Sequence, residues 1–130
     1  MLITVDTSTL IAVIGNEFSK ERAIELTVGN ELIAPPSVHW EIGNALSGMI
    51  KRKRITQNQA SLALSAYERI PLRYFEVELE ESLHWVTKHR MFAYDAYLLE
   101  CARKSKSALL SLDKALVNIA KSENIRVLEV

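Results

Sequence analysis

Hydrophobic and polar positions along the chain follow two periods. Short apolar runs bounded by turn residues predict five strands, at residues 2–5, 31–34, 73–75, 108–110 and 125–130. Apolar residues at helical spacing predict helices between them, at about 7–14, 17–28, 57–69, 80–89, 95–104 and 114–122. A further helix starts at Ser37 and ends in the basic run 51–54. Strands and helices therefore alternate along most of the chain.

The helix that starts at Ser37 has the most regular pattern. Its apolar residues recur three or four positions apart, at Val38, Ile42, Ala45, Leu46 and Met49. Pro35 and Pro36 end the preceding strand, because proline cannot donate to a sheet hydrogen bond. Ser37 is therefore predicted to be the N-cap of this helix.

The alternation of strands and helices predicts the fold class. Parallel strands need crossover connections, and right-handed crossovers cover both faces of the sheet with helices. We expect one α/β domain over residues 1–130, with three layers in the order α/β/α. Ligands of such sheets bind at the carboxyl ends of the strands, where candidate functional residues should lie.

Composition and charge exclude several classes of protein. The chain has 16 basic and 16 acidic residues, so it is not a polybasic protein that binds nucleic acid by overall charge. A single cysteine, Cys101, excludes a disulfide scaffold and fits a reducing compartment. No apolar run is long enough to span a bilayer, and the N-terminus lacks a basic signal region. We therefore expect a cytoplasmic protein with no membrane partner.

Three aspartates stand out among the acidic residues. Asp6 follows the first strand, and Asp113 follows the fourth. Asp95 opens a predicted helix and shares a face with the apolar stripe that should pack inward. Glu41 flanks the apolar stripe of its own helix, in a row with small and polar residues. All three aspartates stand near helix starts, where N-capping is the simpler explanation of each one singly. Glu41 could likewise be a solvated surface residue.

Taken together, the four acids support a more specific hypothesis, which is a site for a divalent cation. Thr7, Ser8 and Ser111 are alternative capping residues near the aspartates, and capping cannot explain Glu41 within its helix. Four carboxylates in one pocket would repel each other unless a cation neutralised them. An all-oxygen ligand set favours Mg²⁺ or Mn²⁺, and such a site suits phosphodiester hydrolysis. Four hydroxyl or amide side chains would orient the carboxylates or contact phosphate: Thr7, Ser8, Asn44 and Ser111.

Four sequence blocks in this order resemble the PIN-domain family, particularly its VapC-type toxins. They are VDTSTL, PSVHWEIGNAL, AYDAYLLECA and LLSLDKAL, and the resemblance covers essentially the whole chain. It implies a five-stranded parallel sheet and a Mg²⁺- or Mn²⁺-dependent endoribonuclease. Asp6, Glu41 and Asp95 match the three principal acids of the family, and Asp113 matches its more variable fourth. Ser111 stands where the family usually has threonine, which preserves the hydroxyl.

The same resemblance implies partners that the residues alone do not indicate. VapC-type proteins typically form homodimers, act on RNA and are held inactive by a small antitoxin. Two other function classes stay open: a receiver-like phospho-acceptor signalling domain, and a catalytically silent PIN-like binding module. A receiver fits less well, because threonine follows Asp6 and serine follows the fourth strand.

Two surface features have both functional and structural explanations. The run from Lys51 to Arg54 could contact RNA phosphates, but cations also suit a helix C-terminus. Trp40 projects away from the apolar stripe of its helix, so it could line a dimer or antitoxin interface. Cover by its own domain would explain Trp40 equally well.

Overall fold

The computed structural model describes residues 1–15, 17 and 20–130 of the chain. Within them, five strands form one sheet in which every pairing is parallel. The strands are β1 Leu2–Val5, β2 Glu31–Ala34, β3 Leu72–Tyr74, β4 Ala108–Leu110 and β5 Val127–Leu128. Their order across the sheet is β3-β2-β1-β4-β5. The five-stranded parallel sheet predicted from the sequence is confirmed.

The helices of the described residues lie between these strands. They are α1 Thr7–Ile14, α2 Lys20–Thr27, α3 Ser37–Lys51, α4 Gln57–Glu68, α5 Leu79–His89, α6 Ala93–Ser105 and α7 Lys114–Ser122. The start of the predicted second helix, at residues 17–19, falls partly outside the described residues. The other predicted helices are present, with ends shifted by at most two residues or, for α3, ending where the basic run begins.

The strand order separates the helices into two groups. From β1 the chain moves through β2 to β3 in one direction, and it then crosses to β4 and β5 in the other direction. Right-handed crossovers in opposite directions put α1–α4 on one face of the sheet and α5–α7 on the other. The reversal occurs between β1 and β4, and parallel sheets bind ligands at such a switch point.

The core consists of apolar side chains from the central strands and the inner faces of the helices. Ile3, Leu109 and Leu110 of β1 and β4 are fully buried, as expected for strands covered on both faces. Ile42 of α3 and Leu99 of α6 pack into the same cluster from opposite layers. This packing holds β1, β4, α3 and α6 together at the switch point.

The strand predicted at 73–75 lies one residue earlier, at Leu72–Tyr74, and three other details differ from the sequence prediction. Ser37 is not the N-cap of α3: Pro36 is, and the first amides of the helix donate to the carbonyls of Pro35 and Pro36 instead. Asp95 does not open its helix either, because α6 begins at Ala93. The predicted strand 125–130 is reduced to Val127–Leu128, since its neighbour β4 has only three residues to pair with.

None of the helices in the described residues is long and apolar enough to cross a membrane.

Candidate active site

Asp6 lies directly after β1, at the switch point. Its backbone amide donates to the carbonyl of Leu110 at 3.2 Å, which ties the end of β1 to the end of β4. The side chain is 3% exposed and caps α1, where Oδ1 accepts from the amide of Thr9 at 3.0 Å. Burial raises the pKa of Asp6, although hydrogen bonds from Ser111, Thr9 and Ser8 oppose the rise. The capping explanation is therefore correct for Asp6, but it does not account for the other donors.

Two serine hydroxyls hold the Asp6 carboxylate in one orientation. Ser8 Oγ donates to the carboxylate and lies 2.8 Å from both of its oxygens, and Ser111 Oγ donates to Oδ2. Each hydroxyl also accepts from a backbone amide of the loop after β4: Ser8 from Leu112 at 3.1 Å and Ser111 from Asp113 at 2.9 Å. Because each hydroxyl has one proton, these amides direct that proton at Asp6.

This arrangement leaves Asp6 with spare capacity as a ligand. A carboxylate offers about four lone-pair positions. The amide of Thr9 and the hydroxyls of Ser8 and Ser111 together supply three protons to them. One position stays available for a cation or a water molecule.

Glu41 lies on the second turn of α3 and is half-buried. Burial, with a smaller contribution from the negative charges of Asp95 and Asp6, raises its pKa from 4.5 to about 7. The Thr7 hydroxyl faces the carboxylate and lowers the pKa, but no hydrogen bond of normal geometry joins them. Glu41 Oε1 and Thr7 Oγ1 are both buried without a hydrogen-bond partner. A buried oxygen that lacks a partner is unfavourable, so a donor or a cation that contacts Glu41 Oε1 would stabilise it.

Asp95 lies in the first turn of α6, on the opposite layer from Glu41. It is half-buried beside the buried stripe of α6, as the sequence pattern predicted. Burial raises its pKa, and the charges of Asp113 and Asp6 raise it further. Its side chain does not cap α6, whose N-cap is Phe92. Capping therefore does not explain Asp95.

Asp113 has a structural role that Glu41 on α3 and Asp95 on α6 lack. Its Oδ1 accepts from the amides of Ala115 and Leu116 at 3.0 and 3.2 Å, so it caps α7. It is exposed, and it is close enough to Asp95 to raise the pKa of that residue. Asp113 therefore lies at the rim of the site.

Two further polar residues of α3, Ser37 and Asn44, lie about one helical turn on either side of Glu41. Asn44 is exposed and follows Glu41 by about one helical turn. Ser37 Oγ, one turn before Glu41 on the same face, is buried without a hydrogen-bond partner. The sequence pattern placed Ser37 in the polar row beside Glu41 but gave it no role other than capping.

The donor chemistry of the site fits a hard divalent cation. The charge of Asp6 raises the pKa values of Glu41 and Asp95, and the charge of Asp95 also raises that of Glu41, as carboxylates do when no cation neutralises them. Within the described residues, no three His, Cys, Asp or Glu side chains are grouped closely enough to hold a metal ion together. Mg²⁺ does not require three such side chains, because it usually keeps several waters and binds through one or two carboxylates.

The sequence of the chain matches a known protein family. The family model of the PIN domain matches residues 3–122. The chain belongs to the PIN domain family. A comparison with curated protein sequences finds no significant match.

Solved structures have the same fold as this PIN domain. The protein PAE2754 from Pyrobaculum aerophilum has a TM-score of 0.73 at 23% identity, over 98% of this chain and 83% of that one. VapBC2 from Rickettsia felis, bound to a DNA fragment from its promoter, has a TM-score of 0.71 at 14% identity, over 99% and 98% of the two chains. VapC20 from Mycobacterium tuberculosis, a toxin that cleaves the sarcin-ricin loop, has a TM-score of 0.66 at 18% identity, over 90% and 94%. At these identities the comparisons show the fold.

Proposed function

We propose that this PIN domain is a Mg²⁺- or Mn²⁺-dependent endoribonuclease and the toxin of a type II toxin–antitoxin pair. The observation that carries the proposal is the Glu41 carboxylate, which has a buried oxygen without a partner and faces two further acids. Such a group is unfavourable in the free protein and becomes favourable when a cation binds. Carboxylates that repel one another at the switch point of a parallel sheet are typical of a functional site.

Asp6, Glu41 and Asp95 would hold the ion, and Asp113 would act at the rim. A bound Mg²⁺ or Mn²⁺ would neutralise charge on the phosphodiester and make a water molecule more acidic. The protein supplies the orientation: Ser8 and Ser111 fix the Asp6 carboxylate through protons directed by the loop amides.

Hydroxyl and amide groups around the acids have a separate role. Thr7 has a buried hydroxyl that faces Glu41, and Asn44 is exposed about one turn further along α3. Both can donate hydrogen bonds, whereas the carboxylates can only accept them. We assign Thr7 and Asn44 to contacts with phosphate oxygens, which accept hydrogen bonds.

The proposed partners follow from similar structures rather than from the site. Two structures of this fold are a VapBC pair and a toxin–antitoxin complex from Klebsiella pneumoniae, which supports a small antitoxin as partner. We also propose that the protein forms a homodimer and acts on RNA in the cytoplasm. A short neighbouring reading frame that encodes a DNA-binding antitoxin would support this role.

The test combines cleavage with metal binding. Asp95→Asn and Asp6→Asn are expected to abolish Mg²⁺- or Mn²⁺-dependent cleavage of RNA while the circular dichroism spectrum stays unchanged. Calorimetric titration with Mn²⁺ should show binding to the wild-type protein and much weaker binding to both variants. Glu68→Gln, at an exposed position of α4, is the matched control and should behave like the wild type.

Three results would contradict the proposal. Metal-dependent cleavage that persists in both aspartate variants would refute the assignment of the acids. A wild-type protein that neither binds Mn²⁺ nor cleaves RNA would favour the silent binding module, and labelling by acetyl phosphate would favour the receiver-like domain.

A further inference from the structure

A polar groove adjoins the candidate active site along α7. It lies between α7 and the residues that follow β5, and its volume is about 370 Å³. Ser111 lines the groove and also donates to Oδ2 of Asp6, so one hydroxyl belongs to both places. Lys114 of the groove directly follows Asp113, which is close enough to Asp95 to raise the pKa of that residue. A hydrogen bond and the chain itself therefore connect the groove to the acids.

Polar side chains of α7 follow the groove in a row. Lys114, Asn118 and Lys121 line it, and they are four and three positions apart, as neighbours on one helix face are. From the first to the last of them, the helix axis rises by about 10 Å. Lys114 and Asn118 are exposed, so both side chains can donate to a ligand. The row therefore leads away from Ser111, which lies next to the acids.

The two lysines of the row differ in how their charges are balanced. Lys121 Nζ donates to the carboxylate of Glu129, which also lines the groove. Lys114 has no ion-pair partner among residues 1–15, 17 and 20–130. Asp113 beside it directs Oδ1 at backbone amides of α7 instead. The positive charge of Lys114 is therefore available to an anionic ligand.

The position of Lys114 in α7 is unfavourable for a cation. It is the first residue of the helix, after the N-cap Asp113. The helix macrodipole places partial positive charge at this end, which favours acidic side chains there and disfavours lysine. Neither an ion pair nor the helix therefore stabilises the charge of Lys114. A negatively charged ligand in the groove would do so, and phosphate groups of nucleic acids accept from lysine and asparagine side chains.

We propose that the groove binds a phosphate of the substrate strand adjacent to the scissile phosphate, with Lys114 and Asn118 as its donors. This inference rests on the proposed function, since it assumes that the acids hold the scissile phosphate. Lys114 supplies a charge and Asn118 an amide N–H, while Ser111 keeps its proton on Asp6. Both donors position the strand and take no part in the reaction at the acids. Because contacts with phosphate do not read the bases, they add affinity for every sequence.

The salt dependence of binding tests this inference. Fluorescence anisotropy of a labelled single-stranded oligoribonucleotide is measured in the Asp95→Asn background, which should leave the RNA intact, between about 50 and 200 mM KCl. Lys114→Gln should lower the affinity about 2- to 5-fold at the lower salt concentration. It should also reduce the slope of log K against log salt concentration by about 0.7, the value for one phosphate contact with a single strand. Asn118→Ala should weaken binding without changing the slope, because the amide carries no charge.

Lys114→Arg and Arg126→Gln are the matched controls. Lys114→Arg preserves the charge, so its affinity and salt slope should equal those of the parent protein. Arg126 is exposed immediately before β5, whereas the groove lies past the other end of that strand. Arg126→Gln removes one positive charge far from the groove and should leave the slope unchanged. The Tm of Lys114→Gln should equal or exceed that of the parent protein, because a cation at this helix end is not stabilising.

Cleavage separates this inference from the proposed function. With Asp95 intact, Lys114→Gln should raise KM by about the factor measured for binding and leave kcat nearly unchanged. Metal-dependent cleavage with KM and salt dependence both unchanged in Lys114→Gln would overturn the inference and leave the nuclease intact. RNA binding that Lys114→Gln weakens, without any cleavage by the wild type, would support the groove and contradict the nuclease.

Two further results would also overturn the inference. An equal loss of RNA affinity in Lys114→Gln and Arg126→Gln would show that overall charge, rather than the groove, binds the strand. Altered self-association of Lys114→Gln in sedimentation, with RNA affinity unchanged, would assign the groove to a contact between protein chains.

Discussion

Replacement of Glu41 by glutamine should stabilise the metal-free protein at neutral and alkaline pH. Burial and two neighbouring acids raise the pKa of Glu41 from 4.5 to about 7, so ionising this group opposes folding. The folded state binds more protons than the unfolded state between these values. The stability that protonated Glu41 contributes is complete below about pH 4.5 and is lost as the pH rises through about 7.

The pKa shift sets the size of the effect. At about 1.36 kcal/mol per pKa unit, a shift from 4.5 to about 7 corresponds to about 3 kcal/mol at most. Glu41 is only half-buried, and solvent screening reduces this to about 1–2 kcal/mol. Above about pH 7, Glu41→Gln should therefore be more stable than the wild type by that amount. For a domain of this size, the difference corresponds to a rise in Tm of about 3–10 °C.

Urea denaturation followed by circular dichroism, in EDTA between pH 4.5 and 8, measures the effect. The advantage of Glu41→Gln should disappear towards pH 4.5, and Glu68→Gln, the exposed control, should follow the wild type throughout. Adding Mn²⁺ should stabilise the wild type more than Glu41→Gln. Equal or lower stability of Glu41→Gln at pH 8 would refute the reasoning, because the carboxylate would then not be under electrostatic stress.

Three further substitutions probe the site and its support. Ser111→Ala should lower Mn²⁺ affinity about 10- to 100-fold in calorimetry with the fold retained, because Asp6 loses a directed donor; unchanged affinity would mean that Ser111 does not orient Asp6. Asp113→Ala should cost about 1 kcal/mol in thermal unfolding by uncapping α7, and an unchanged Tm would contradict that role. Glu100→Gln should cost about 1–2 kcal/mol in urea denaturation, since Glu100 is 1% exposed and accepts from Trp85; a loss below about 0.5 kcal/mol would contradict this role.

Glu100 also gives a pH dependence of the opposite sign to that of Glu41. Burial would raise its pKa, but the hydrogen bonds from Arg103 and Trp85 outweigh burial and lower it. Its contribution to stability is therefore present above its ordinary pKa of 4.5 and lost as the pH falls below that value. The wild type should lose stability in acid, and Glu100→Gln should lose less of it.

Local patterns in the sequence were enough to assign the segments that form strands and helices. Buried strands between helices need nearly continuous apolar runs, so β1, β2 and β4 were predicted with their observed bounds. The sequence also placed Asp6 and Asp113 after strands, and Asp95 beside an inward-facing stripe. These features are local, because periodicity and neighbouring turn residues decide them within one element.

Contacts between segments that are distant in sequence could be read from the folded molecule alone. Ser111 donates to Asp6 across 105 positions of the chain, because β4 pairs with β1 as well as with its sequence neighbour β5. No local signal contains that pairing, and it directs both serine hydroxyls at one carboxylate. The bounds of β5 depend likewise on the short partner beside it, and the burial of the Glu41 oxygen depends on the packing of α3 against the sheet edge. Burial and pairing are properties of the assembled layers, so they arise only when the chain has folded.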